Sequence, residues 1–195
     1  MTQSYPAQPT WGPVTRRADG TYVFAVPLGS GKAPLVSLRD IGFFARYSFD
    51  HRAEVSRQDL KIVTEMVGRE ELVAAFTKVT GKKAVAVDIS VEEWFENLTD
   101  VDRPLANERG TDGDGSTTFR QNFTRFWYLY RDGIIKRDVE WNRKVNPNGD
   151  TLESWMRANN YTGDVLTVEP ILKNQADGKG IGLNLEHIAA TLGKV

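Results

Sequence analysis

The sequence predicts an α/β chain with few strands, several helices and a helical C-terminal half. Three observations carry that expectation. Thr21–Val26 and Ala84–Ile89 are short β-rich runs, entered through Asp19-Gly20 and Gly81. Gly68–Thr80 instead carries Leu72, Val73, Phe76 and Val79 at the helical period, so helices separate the strands. Beyond about residue 116, aromatic and aliphatic positions recur at three and four, with no strand-like alternation. With 40% hydrophobic and 26% charged residues the 195-residue chain has a globular composition and room for one domain with a real core, not two full domains.

The elements follow in order. Met1–Pro13 carries Pro6, Pro9 and Pro13 and reads as an irregular arm. After the Thr21–Val26 strand, the Gly29–Pro34 loop leads to a second short strand, Leu35–Leu38. Asp40 stands where an N-cap is expected, and Ile41, Phe44, Ala45 and Ser48 follow at helical spacing to Phe49-Asp50. Leu60–Thr64, the Gly68–Thr80 helix and Ala84–Ile89 form a β-α-β unit. Ser90 with Glu93 is a capping-box pattern opening a short helix, Val91–Leu98, that carries Trp94 and Phe95. Thr99–Gly115 is polar and glycine-rich and reads as a long surface loop. Phe119, Phe123, Phe126, Trp127, Tyr130 and Ile134 then fall on one helical stripe, which Gly133 bends or interrupts. Thr151 caps a helix with Leu152, Trp155 and Met156, and Asn184 caps a last one through Ile188 and Leu192. The expected organisation is an arm (1–13), an α/β lobe (14–98), a polar loop (99–115) and a helical, aromatic-rich portion (116–195), within one domain.

Composition excludes several functions. Lys+Arg number 25 against 26 Asp+Glu, a net charge of -1, so no overall field favours nucleic acid or an anionic membrane. Without cysteine there are no disulfides, thiolate metal sites or cysteine nucleophiles, which fits a reducing compartment. The first thirty residues lack a charged and then apolar leader, and nowhere do 18 apolar residues run together; the expected location is the cytoplasm.

Motifs for chemistry are sparse. Gly29-Ser30-Gly31-Lys32 precedes Ala33-Pro34 and a strand rather than a helix, so it reads as a turn and not a phosphate loop. No G-x-G-x-x-G stands between a strand and a helix, and Gly178, Gly180 and Gly182 look like a loop. A proton-donating Tyr with a Lys one helical turn later is absent: the residues four beyond the tyrosines are Pro9, Val26, His51, Asp132, Ile134 and Val165. His51 and His187 have no second histidine at ligand spacing, and Asp112-Gly113-Asp114-Gly115 lacks the closing Glu of a calcium loop. No metal site, cofactor-binding residue or catalytic residue is assigned. The aromatic stripe admits three readings: core packing, the wall of an apolar ligand pocket, or an oligomer face. For the pocket reading the candidate substrate-binding residues are Trp94, Phe95, Phe123, Trp127 and Tyr130.

Two stretches carry a resemblance. Pro34–Gly42 delivers a strand through Arg39-Asp40-Ile41-Gly42 into a helix, and Glu70–Lys83 contains a helix followed by Thr80-Gly81-Lys82. A strand and then Val91-Glu92-Glu93-Trp94-Phe95 come next. Together they resemble the NmrA-like family of atypical short-chain dehydrogenases over about residues 14–98, while Phe119–Trp141 with Trp155 resembles fungal members more loosely. The resemblance implies an incomplete Rossmann-type fold: the C-terminal, substrate-side lobe without the N-terminal half that holds the dinucleotide. No cofactor is then expected for this chain, and NADP or NAD only if that half is present.

Three functions follow as expectations. The first is binding of an apolar small molecule by a tailoring enzyme or oxidoreductase-like protein of fungal secondary metabolism, either a reductase or a cofactor-independent enzyme. The second is an NAD(P)-sensing-type regulatory or protein-binding module. The third is a truncated NAD(P)-dependent reductase. Uncovered sheet edge and helix surface further predict a homodimer or a protein partner.

Overall fold

The computed structural model describes residues 11–104, 117–164 and 181–194. β1 (Thr15–Arg16) and β2 (Tyr22–Ala25) flank a turn in which Gly20 adopts φ +85° and Asp19 accepts from both the N–H and the hydroxyl of Thr21. β3 (Ala33–Leu35) leads to α1 (Leu38–Asp50), capped by Ser37, whose hydroxyl accepts from the Asp40 N–H. The single turn α2 (Arg52–Val55) and β4 (Glu65–Val67) precede α3 (Arg69–Thr80), which ends at Gly81 in the left-handed region. β5 (Ala84–Val87) and α4 (Val91–Glu96) follow, the latter opened by the reciprocal Ser90–Glu93 box. α5 (Phe119–Arg131), α6 (Val139–Val145), α7 (Leu152–Ala158) and α8 (Leu185–Thr191) start at Thr118, Asp138, Thr151 and Asn184, each with its side chain accepting a backbone N–H. Among the described residues no helix is long and apolar enough to cross a membrane.

The strands form a three-stranded sheet in the order β1-β2-β5 and a separate pair, β3-β4. β2 runs antiparallel to β1 and parallel to β5, with Tyr22 opposite Ala84. Because strand side chains alternate, β2 serves two cores. Tyr22 and Phe24 pack with Phe76 of α3 in the larger core, which also holds Trp11, Trp94 and Trp127. Val23 and Ala25 face a smaller core with Val14, Ile188 and Leu192. Full burial of each such large side chain contributes about 1.5–3 kcal/mol.

A buried polar hub fixes the other sheet. Asp40, 2% exposed, accepts from the Asn146 amide at 3.1 Å, the Asp150 N–H at 3.3 Å and the Thr64 hydroxyl. Arg143 donates to the carbonyls of Gly149 at 2.7 Å and Thr64 at 3.1 Å. The Asp40 side chain is tolerated at that depth because its oxygens are satisfied from several sides, and the cost is offset by tying α1 to the segments before β4 and after α6.

The structure shifts several elements from their sequence-based places. Leu60–Thr64 is not a strand: the Val63 N–H is taken by the Asn142 side chain at 2.9 Å, and it is Glu65–Val67 that pairs with β3. The β-α-β unit therefore does not close within residues 60–89; β4 and β5 lie in different sheets, and the parallel partner of β5 is β2. The second strand lies at Ala33–Leu35 rather than Leu35–Leu38, which moves the cap from Asp40 to Ser37 and turns Asp40 inward. The strand after Gly81 stops at Val87 rather than Ile89, and the helix after Ser90 at Glu96 rather than Leu98. Gly133, at φ +61°, stands just beyond the end of α5, and Ile134 leaves the stripe, 61% exposed. β1, α2 and α6 are additional elements. The arm is irregular where described, yet Trp11 is fully buried. Asp112–Gly115, Gly178 and Gly180 lie outside the described residues.

Candidate functional site

Parallel pairing of β2 with β5 brings a polar group together that no local spacing reveals. The Tyr22 N–H donates to the Lys83 carbonyl at 2.9 Å, so the chain leaving Gly81 passes beside Tyr22. Lys82 Nζ there donates to the Tyr22 hydroxyl at 3.0 Å and to the Thr162 carbonyl at 2.7 Å. The hydroxyl in turn donates to Asp164 Oδ1 at 2.8 Å, and Lys82 Nζ lies 3.4 Å from Asp164 Oδ2. Gly163 makes this approach possible. It adopts φ +79°, and a Cβ there would stand 2.6 Å from the Phe76 ring.

The electrostatics follow from these bonds. The hydrogen bond from Tyr22 is the main cause that holds the Asp164 carboxyl below its ordinary range, helped by Thr162 and the Lys82 charge. Partial burial opposes the Lys82 charge, but the Tyr22 hydrogen bond and the neighbouring Tyr22 and Asp164 groups outweigh it and raise its pKa. Burial, with Asp164 nearby, pushes the Tyr161 phenol up.

This group borders a cleft of about 450 Å³ between β1 and α8. Val14, Leu183, Leu185 and Ile188 make its apolar wall, and Tyr22, Arg16 and Asp164 its polar end. The Arg16 guanidinium lies over the Tyr22 ring, 5.4 Å from the centroid. A small molecule with an apolar body would bury surface against the wall and meet hydrogen-bonding groups at one end, the general build of ligand sites. The Tyr22 hydroxyl is engaged as a donor by Asp164 and as an acceptor by Lys82.

The aromatic residues singled out in the sequence do come together, in the larger core. Trp94 packs edge-to-face on Trp127 at 5.1 Å and stacks on Phe123 at 5.7 Å, and meets Phe95 edge-to-face at 5.1 Å. Trp94, Phe95 and Trp127 are buried; Phe123 and Tyr130 are partly buried, Tyr130 joining through Phe126 at 4.9 Å. Trp11 completes the cluster, 5.4 Å from Trp127, and neither indole N–H has a partner among the described residues. Sequence reasoning missed Arg16, Tyr22, Lys82 and Asp164. A search for Lys one helical turn after Tyr cannot find a pair joined through a sheet. Pairing Thr21–Val26 directly with Ala84–Ile89 would have placed Tyr22 beside Lys82.

Among the described residues, the Gly29–Gly31 turn does not offer the open backbone a dinucleotide phosphate needs. The Gly29–Gly31 turn is closed by α5: a Cβ at Gly31 would stand 2.2 Å from the Tyr130 carbonyl oxygen, so this backbone already packs against protein. His51 stacks on Tyr47 at 4.1 Å, and His187 Nε2 lies 3.6 Å from Glu96.

The sequence matches the NmrA-like family over residues 7–111. Comparison with curated proteins returns no match. Among solved structures, the crystal structure of a mutant NmrA is similar, with a TM-score of 0.54 at 13% sequence identity, over 80% of this chain and 49% of that one. The likeness is one of fold, and the chain spans about half the length of that protein.

Proposed function

Because the chain belongs to the NmrA-like family, we propose that it serves as a ligand-binding lobe, taking an apolar small molecule in the cleft between β1 and α8. The setting we favour is small-molecule tailoring of the kind found in fungal secondary metabolism. NADP or NAD is then a cofactor of a complete protein that includes a dinucleotide-binding half. The observation that carries this reading is an apolar wall of Val14, Leu183, Leu185 and Ile188 in one cleft with the polar residues Arg16, Tyr22 and Asp164. Trp94, Phe95 and Trp127 are taken up by packing, so Phe123 and Tyr130, partly buried on α5, are left as the alternative ligand wall.

Fluorescence titration with the neutral probe Nile red tests the cleft. Leu185, 57% exposed at its mouth, is the position to change. Leu185→Asp should weaken binding about tenfold or more by placing a charge on the apolar wall. Unchanged binding in this variant would move the site elsewhere.

A second reading, a protein-binding or regulatory module, is favoured by α1. It leaves Leu38 64% and Phe49 82% exposed. Such side chains are suited to a partner or a second copy of the chain.

A further inference from the structure

The cleft has an electrostatic sign as well as an apolar wall. One cation, Arg16, and one carboxylate, Asp164, line it, and Lys82 stands beside Asp164. Lys82 is committed to Asp164 at 3.4 Å and to the Tyr22 hydroxyl at 3.0 Å. Asp164 is compensated by the hydroxyl at 2.8 Å and by the same ammonium. Arg16 is different. It lines the cleft and rests on the face of the Tyr22 ring, with no carboxylate partner among the described residues. A planar fork of donors held by an aromatic face beside an apolar wall is suited to receive a carboxylate. Val14 and Ile188, both buried, supply the floor for the chain or ring that such a ligand carries.

We infer that the cleft selects an anionic amphiphile, a small molecule with an apolar body and a terminal carboxylate, which Arg16 holds at its charged end. This rests on the cleft being the ligand site proposed above. A cationic amphiphile would bring like charge against Arg16. A neutral one would gain the wall alone.

Calorimetric titration of the whole chain with decanoate, decanol and decyltrimethylammonium, each below its micellar concentration, separates the possibilities. Decanoate should bind about tenfold tighter than decanol, a discounted value for a charge-assisted contact that water partly screens. Decyltrimethylammonium should bind more weakly than either. Arg16→Gln should abolish the preference, bringing decanoate to the affinity of decanol or below it in the same variant, while Arg16→Lys should retain part of the preference. Circular dichroism establishes that each variant is folded. Equal affinity for decanoate and decanol would overturn the anion selectivity and leave small-molecule binding intact. A preference that survives Arg16→Gln would overturn the assignment to Arg16. Failure of all three probes to bind would overturn the ligand-site reading together with the inference.

Discussion

Lys82 donates to the hydroxyl of Tyr22 across 3.0 Å although the two residues belong to distant parts of the chain, and the contact exists because β2 and β5 pair in parallel. It anchors the polar end of the cleft. The first prediction concerns its acid side. Asp164 is held below its ordinary range chiefly by the hydrogen bond from Tyr22. A carboxyl depressed in the folded state contributes stability that is full above its unfolded value, about 3.9, and is lost as pH falls through the folded value. Tyr22→Phe should therefore raise the Asp164 titration and flatten stability loss in that acid window. Asp19, lowered to about 2 by the Thr21 backbone and hydroxyl bonds, should not move and serves as the internal control. Carboxyl-carbon NMR titration reads both; an unchanged Asp164 would show that the hydroxyl does not govern it.

The second prediction is set by the aromatic cluster. Trp127 is fully buried between Trp11 and Trp94. Trp127→Ala should cost about 3–5 kcal/mol in urea unfolding. Trp127→Phe should cost less, since it also removes an indole N–H that has no partner among the described residues. A Trp127→Ala protein of unchanged stability that had lost ligand binding would instead make this residue a pocket wall.

Gly31 and Gly42 give a third, opposed pair. A Cβ on Gly31 would collide with the Tyr130 and Arg131 backbone, which cannot swing away, so Gly31→Ala should lose about 1–3 kcal/mol or more. Gly42 lies inside α1 with nothing within 4 Å of its would-be Cβ. Gly42→Ala should gain about 0.5–1 kcal/mol from helix propensity. Thermal unfolding distinguishes the signs. Equal effects would contradict the packing described for the Gly29–Gly31 turn.

Much of the helical framework was legible because caps are local. Ser90, Thr151 and Asn184 each stand at the expected helix start and accept the backbone bond expected of them. α6 had the same signal, with Asp138 as cap, Glu140 in the first turn and Arg143 and Lys144 in the last. The strands were less legible, because register is decided between distant segments. Leu60–Thr64 has strand composition, but Asn142 takes its Val63 N–H and the ladder forms at Glu65–Val67. The candidate cleft was illegible for the same reason. Arg16, Tyr22, Lys82 and Asp164 share no spacing, and a polar group assembled across a sheet leaves none to read.

A fourth prediction follows from α1. Its exposed Leu38 and Phe49 would be covered most simply by a second copy about a two-fold axis. Light scattering after size exclusion at micromolar concentration should report a dimer, and Phe49→Glu should shift it toward monomer. A compact monomer of 21.9 kDa that binds no hydrophobic dye would contradict this.

The most direct test of small-molecule binding in the β1–α8 cleft is a ¹⁵N-resolved NMR titration of the chain with decanol. Shifts should concentrate at Val14, Thr15, Tyr22, Leu185 and Ile188, which line the cleft, and should saturate. Saturable shifts centred on Phe123, Trp127 and Tyr130, or no saturable shifts at all, would contradict it.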